Sequence, residues 1–419
     1  MFKTLLPRII PASFACFIIL ATTVPAAETV TRDGVLHVMN PASPGGGREI
    51  RTLAEVWRAG GEDSDDFFGL ITQVIADEDG NLYLLDTRLA EVPVYSPDGE
   101  RIATLSREGE GPGETRFPGD LIFMPDGTLG LVQAFPGRVV NIDRQGNPLE
   151  SFTLAGVGGQ QGGFVAFSDV RASGDRLVVG GSRFHQIENG RRQEIFVAAF
   201  DRQGNLLTEY FTHDIVQDFS DFTWDDDAYY LREYRRWTVG TDGRIYSLQD
   251  PNRYAITVYR PAGGVDRVIE RAYEHRLRTD EELQQMQTNV EARILRQLPD
   301  AKIEIAPDEP DVLALRTGPD GNIWAETSRG AFDQPAGVLF TWDVFSPDGE
   351  FLKQVSARTD GDGTEELLLW VKDGAVKITG FWPAVAALRN GGVGNATEDE
   401  EATPMEVIYY RVADVTHES

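Results

Sequence analysis

Cysteine is almost absent from the sequence. The one residue, Cys16, falls inside an N-terminal apolar stretch. The rest of the chain therefore offers no disulfide, no thiolate metal ligand and no thiol nucleophile. Histidine is scarce as well: His37, His185, His213, His275 and His417 are the full set, and none stands at metal-ligand spacing from another. No Gly-x-Ser-x-Gly elbow is present, which removes the usual serine-hydrolase signature. Positive charge is in short supply, with 39 Lys and Arg against 67 Asp and Glu and a formal net charge of −28. A surface of that sign repels a phosphate backbone, so nucleic acid is a poor partner. After the first 27 residues no apolar run is long enough to span a bilayer, and the mature chain is expected to stay out of the membrane.

The opening "MFKTLLPRIIPASFACFIILATTVPAAETV" has the order of a targeting segment: Lys3 and Arg8, an apolar core, then small residues at "VPAA". Residues 1–27 are therefore expected to be a cleaved signal peptide. Export without disulfides fits a periplasmic or secreted protein whose core is large enough to stand alone.

A repeat organises the remainder. Residues 71–105, "ITQVIADEDGNLYLLDTRLAEVPVYSPDGERIATL", alternate four apolar runs with three polar turns, two of them built on Asp-Gly. Asp-Gly between runs of period two signals a hairpin, because glycine accepts the positive φ of a tight turn. Related units follow at 121–152, 167–210, 235–270, 313–355 and 368–414. Their first-turn glycines are Gly80, Gly127, Gly174, Gly243, Gly321 and Gly374. The spacings of 47, 47, 69, 78 and 53 residues leave room for insertions at two junctions. A four-stranded unit repeated at this interval predicts an all-β chain, a six-bladed β-propeller of four-stranded antiparallel blades. The stretch "EIRTLAEVWRAGG" (49–61) matches the fourth-strand position, so Thr52–Ala59 is expected to close the ring against Glu406–Val412. The predicted organisation is an arm at 28–48, the propeller at 49–414 with insertions at 208–234 and 271–312, and a tail at 415–419. "GVLHVMN" (34–40) is left over as an extra edge strand or a loose arm. In the second insertion, Thr279 and Glu282 form a capping-box pair ahead of helically spaced Leu283, Met286, Val290, Ile294 and Leu298.

The sequence D-G-N-L-Y-L-L-D, then V-P-V-Y-S-P-D-G, then "GEGPGETRFP" resembles bacterial exported six-bladed propellers with NHL-like repeats. In that group a Gly-Glu-Gly-Pro-Gly-Glu connector commonly follows the first blade. The resemblance spans nearly the whole mature chain and is most specific over 71–150. It implies a fold rather than an activity, since this superfold hosts unrelated functions. The connector "SREGEGPGETRFPGDL" (106–121) lacks the lysine and helix of a phosphate loop and reads as a tight crossing between blades.

Candidate site residues follow from where the repeat places them. An arginine recurs in the second-to-third turn of five units: Arg88, Arg138, Arg183, Arg253 and Arg329. In an acidic protein these are either a cationic collar for an anionic ligand or staples to carboxylates of their own turns. The first insertion interleaves aromatics with acids, and Trp224 and Tyr230 are its candidate ligand contacts. "TDGDGTEE" (359–366) offers Asp360, Asp362 and Glu365 as a weak Ca²⁺ site; no other cofactor is expected. Asp120, at the start of an inner strand, is a lone candidate for a central metal. His185 and His213 are candidate acid–base groups on loops. The sequence reads as an exported, monomeric, non-enzymatic binding propeller, holding a small ligand, glycan, peptide or envelope or extracellular protein on its connector face. The alternative is a metal-dependent propeller enzyme, a lactonase-like hydrolase or a lyase.

Overall fold

The computed structural model describes residues 27–62, 64–155, 164–232, 235–389 and 404–418. Most of the expected signal segment lies outside them, as does Tyr234 of the first insertion. Among the described residues no helix is long and apolar enough to cross a membrane.

Each repeat unit folds into an antiparallel sheet whose strands follow chain order. The first is Ile71–Ala76, Leu82–Asp86, Val92–Tyr95 and Arg101–Leu105. The second holds Pro118–Phe123, Leu129–Gln133 and Arg138–Ile142; its fourth run makes only isolated bridges, Val139 to Phe152 and Ile142 to Pro148. Phe164–Ser173, Arg176–Ile187, Gly190–Phe200 and Leu206–Asp218 make the third. The fourth is Trp237–Val239, Ile245–Leu248, Ala255–Tyr259 and Val265–Arg271, and the fifth is Val312–Thr317, Ile323–Thr327, Val338–Phe345 and Phe351–Arg358. In the sixth, Leu367–Val371, Gly374–Ile378 and Glu406–Glu418 are joined by Arg48–Gly60 from the other end of the chain.

Five of the six first-turn glycines are left-handed, with φ between 63° at Gly174 and 86° at Gly80. Gly374 is needed for another reason: a Cβ there would run into the Tyr410 carbonyl.

Buried apolar clusters lie between consecutive sheets. Leu85, Val94, Leu121 and Leu131 join the first to the second, and Val132, Val139, Phe167 and Val179 the second to the third. Val178, Val197, Trp237 and Ile245 join the third to the fourth, and Tyr246, Ile256, Leu315 and Phe345 the fourth to the fifth. Trp342, Val355, Leu368 and Ile408 seal the fifth to the sixth. Leu369 and Val407 then meet Ile71 and Leu84, so the sixth sheet packs on the first. The arrangement is propeller-like.

The chain ends pair as the repeat register requires, from Glu406 opposite Gly60 to Val412 opposite Leu53. The pairing continues to Glu418 opposite Arg48, so residues 415–418 of the expected C-terminal tail belong to the strand, and residue 419 lies outside the described residues. Arg48–Thr52 also pairs in parallel with Gln354–Arg358, which fuses the fifth and sixth sheets into one eight-stranded sheet. The leftover N-terminal run becomes a hairpin, Glu28–Arg32 with Val35–Asn40, added in parallel to Val265–Arg271 at the edge of the fourth sheet. Asn40 locks it there, donating to the carbonyls of Glu270 (3.0 Å) and Gly349 (2.8 Å).

Candidate functional site

Where the first strands of the sheets converge, polar side chains meet in a buried cluster. Asp120 is fully buried and accepts from Gln73 Nε2 at 3.0 Å, from the Leu121 amide at 2.9 Å, and from the guanidinium of Arg171 on the next sheet. Asp169, two residues before Arg171 and so on the same face of its strand, lies 3.7 Å from that guanidinium. Arg235 enters from the fourth sheet with a left-handed φ of 68° and donates to the Thr72 carbonyl at 3.3 Å. Burial pushes the Asp169 carboxyl up to about 6; Arg171 pulls it down, but by less. Asp120, the sequence candidate for a central metal ligand, is thus bonded to a cationic side chain. Among the described residues no three His, Cys, Asp or Glu side chains group to hold a metal ion.

The same correction applies at 359–366. Asp362 turns its carboxylate onto the Thr364 amide (2.8 Å) and hydroxyl (2.7 Å). The Lys377 ammonium donates to the Asp360 carbonyl at 2.8 Å and pairs with Glu366 at 3.2 Å. A buried ammonium therefore stands inside the loop, and Asp360, Asp362 and Glu365 do not converge on a cation site.

The five recurrent arginines are largely spent within their own neighbourhoods. Arg183 pairs with Glu194 and Glu209, Arg253 with Glu270 at 3.1 Å, and Arg329 with Asp333 at 3.3 Å and Glu274 at 3.4 Å. Arg138 donates to the neutral Gln133 side chain at 3.1 Å. Arg88 is exposed, and its amide donates to the buried Asp86 carboxylate, which also receives the amides of Gly69, Leu70 and Leu89. Asp86 pins the chain entering the first sheet rather than the Arg88 guanidinium.

The third sheet departs from its neighbours. Its last three strands run 11 to 13 residues against 4 or 5 for the corresponding strands of the first sheet. The excess projects as a wing on the side of the second-to-third turns. His185 and His213, expected on loops, lie on these strands. The wing has its own small core: Ile195 and Ile215 from the strands, Phe222 and Tyr229 from the first insertion, and Ile294, Leu298 and Ala301 from the second. Thr223–Asp225 pairs in parallel with Lys302–Glu304, tying the insertions together. Buried Arg278 adds a second tie, reaching Asp226 and Glu309 at 2.8 Å each. The helix of the second insertion, Asp280–Ile294, starts at Thr279 with the capping box in place.

Trp224 does not offer a ring face to a ligand. Tyr229 stacks on one side at 4.0 Å and 6°, and the Arg293 guanidinium lies 4.5 Å from the ring centroid. Tyr230 is a core residue, its hydroxyl donating to the Val312 carbonyl at 2.7 Å, and is no surface contact.

Beside this stack runs a cleft. One end, of about 680 Å³, is lined by Phe219, Phe222, Trp224, Tyr229, Gln217 and Arg191, with Arg232 and Arg293. The other, of about 380 Å³, is lined by Phe135, Phe164, Phe184, His185, Gln186 and Arg191. Arg191 belongs to both. Its guanidinium donates to Gln217 Oε1 through Nε at 2.8 Å and through Nη2 at 2.5 Å and lies 5.3 Å from the Phe184 ring, and among the described residues it pairs with no carboxylate. Gln217 in turn donates to the Tyr229 hydroxyl at 2.6 Å, so the cation is held in place by a neutral relay. Phe164 sits opposite Phe184 in the strand register, and the Phe135 and Phe164 rings meet edge-on at 5.7 Å. Phe164 is 69% exposed and Phe135 58%.

Of the residues lining the cleft, Trp224 and His185 were candidates from sequence; Arg191, Gln217, Phe135, Phe164 and Phe184 were not. The overlooked signal is "FHQIENGRRQEIF" (184–196), an Asn-Gly turn between alternating runs. That pattern extends the hairpin and sets Phe184 and Gln186 on the same face as Arg191 and Gln193.

No family model matches the chain, and no curated protein matches it. Among solved structures, it is similar to a protein from Bacteroides fragilis described as a candidate exported protein, at 8% identity and a TM-score of 0.48, covering 90% of this chain and all of that one. A member of the DUF4221 family from Bacteroides vulgatus aligns at 9% identity and 0.46 over 87% of this chain and 98% of its own. Regucalcin from Agrobacterium tumefaciens, a calcium-binding protein, aligns at 13% identity and 0.39 over 86% and 96%. These three scores lie below 0.5, and the site is argued from this chain's own residues.

Proposed function

We propose that the chain is an exported six-bladed propeller that works as a monomeric binding module and takes its ligand in the cleft between wing and ring. Six apolar interfaces in cyclic order support the blade count. The observation that carries the binding role is Arg191, a cation with no carboxylate partner among the described residues, set between two aromatic groups in a strongly acidic protein. Exposed aromatic surface of this kind marks contact sites, and a few polar groups in an apolar concavity fix a ligand's orientation. The enzymatic alternative would need a central metal, and the axial carboxylate Asp120 is engaged by Arg171 instead.

The test is a thermal-shift screen of small organic ligands on the mature chain, repeated on Phe164→Ala and Arg191→Gln. Hits weakened in either variant and indifferent to chelator support the reading. Chelator-sensitive turnover that survives both variants overturns it.

A further inference from the structure

The cleft is bipolar, and that polarity selects a ligand class. We infer that it takes a small amphiphilic organic anion: an aliphatic or aryl group seated on Phe135, Phe164 and Phe184, with a carboxylate or equivalent oxyanion on Arg191. This inference rests on the binding reading above and makes it specific. The Phe end has the volume of a small-ligand subsite, about 380 Å³. Two of its rings are more than half exposed, so covering them removes apolar area from water. Arg191 gives two of its five N–H donors, on Nε and Nη2, to Gln217 Oε1, which leaves three for a ligand, and its charge meets only a neutral amide there. A cation held by a neutral partner, beside apolar walls that lower the local dielectric, favours an anion over an alcohol of equal length. Elsewhere the chain's net charge of −28 disfavours anions, so any that bind must do so at such a local exception.

Calorimetric titration with octanoate, octan-1-ol, octylamine and the hexanoate-to-decanoate series tests this on the intact mature chain. Octanoate should bind at least tenfold more tightly than octan-1-ol, and octylamine should not compete. Affinity should rise by up to about fourfold per methylene until the Phe end is full. Arg191→Gln should erase the octanoate preference while keeping the chain-length trend; Phe164→Ala should flatten the trend while keeping the preference. Phe164 is mostly exposed and Arg191 partly so, and circular dichroism with melting curves confirms that both variants fold. Nile red, a neutral apolar dye, separates the two levels of failure. If Nile red binds and is lost in Phe164→Ala while carboxylates do not bind, the anion class is wrong and the cleft survives as a site. If neither dye nor carboxylates bind, the inference and the binding reading fall together. Equal affinity for octanoate and octan-1-ol, or an unchanged preference in Arg191→Gln, also overturns the anion assignment.

Discussion

Replacing Asp169 with asparagine tests the electrostatics of the axial cluster. Asp169 is fully buried, and its carboxyl is raised from 3.8 to about 6. Desolvation is the largest cause, and it outweighs the Arg171 guanidinium 3.7 Å away. A group whose folded value is raised contributes stability that is fully present below its unfolded value and lost as pH rises through the folded one. For Asp169 that window runs from about pH 4 to just above 6. Two pH units at about 1.4 kcal/mol each give a loss of roughly 3 kcal/mol across it. The asparagine side chain keeps the shape and carries no proton to lose. The stability difference, wild type minus Asp169→Asn, should therefore fall by about 3 kcal/mol between pH 4 and pH 7. Urea melts at pH steps across this range measure it, and subtracting the variant cancels the carboxylates remote from this cluster. A difference that stays constant with pH would refute the reasoning. One that rises with pH would mean the guanidinium, and not burial, governs this carboxylate.

Three further outcomes follow from the geometry. Lys377→Met strands the buried Glu366 and should cost roughly 3–5 kcal/mol in chemical denaturation, while added Ca²⁺ should leave the wild-type melting temperature unchanged. Trp57→Ala removes a buried ring that stacks on Tyr95 at 5.2 Å beside the joint between the chain ends, and should cost roughly 3–5 kcal/mol. Gly127→Ala meets open space but must hold φ of +82°, at a cost of about 1–2 kcal/mol; Gly374→Ala collides with the Tyr410 carbonyl and should cost more. Equal melting temperatures for the two glycine variants would refute the distinction drawn between their roles.

The ring was legible because its local signals are redundant. Asp-Gly turns, period-two runs and the match of 49–61 to a fourth strand all point to the same register, and the pairing of Glu406 with Gly60 agrees with it. The capping box at Thr279 and Glu282 was equally local. The site was not legible, because recurrence marks what every sheet shares and a binding site is what one sheet does differently. Three of the five recurring arginines pair with carboxylates near their own turns, Arg183 with Glu194 and Glu209, Arg253 with Glu270 and Arg329 with Asp333 and Glu274. Arg191 lies within the third unit, on the lengthened part of its strand Gly190–Phe200, and not in the recurring second-to-third turn position. Trp224 stood out in the first insertion as a candidate ligand contact, but composition cannot say that Tyr229 and Arg293 already cover its ring.

The wing's construction bears on what the cleft can do. Its strands belong to a sheet packed on both neighbours, so the walls that carry Phe164, Phe184 and Arg191 are fixed to the ring. The opposite wall comes from residues 219–232 and 280–304, far apart in sequence and joined by a short parallel pairing and the buried Arg278 pairs. Buried pairs of this kind contribute little net stability against apolar replacements, and a role in holding one arrangement fits them better. Gln217 sits at the seam, donating to Tyr229 on one wall and accepting from Arg191 on the other. A ligand arriving at Arg191 therefore meets a donor already oriented, with little side-chain ordering left to offset its binding. Gln217→Leu should weaken octanoate binding without touching a ligand atom, and should do so at the head group alone, leaving the chain-length trend intact. A variant that lost the trend as well would mean the two ends of the cleft are one flexible surface, and the bipolar assignment would fail with it.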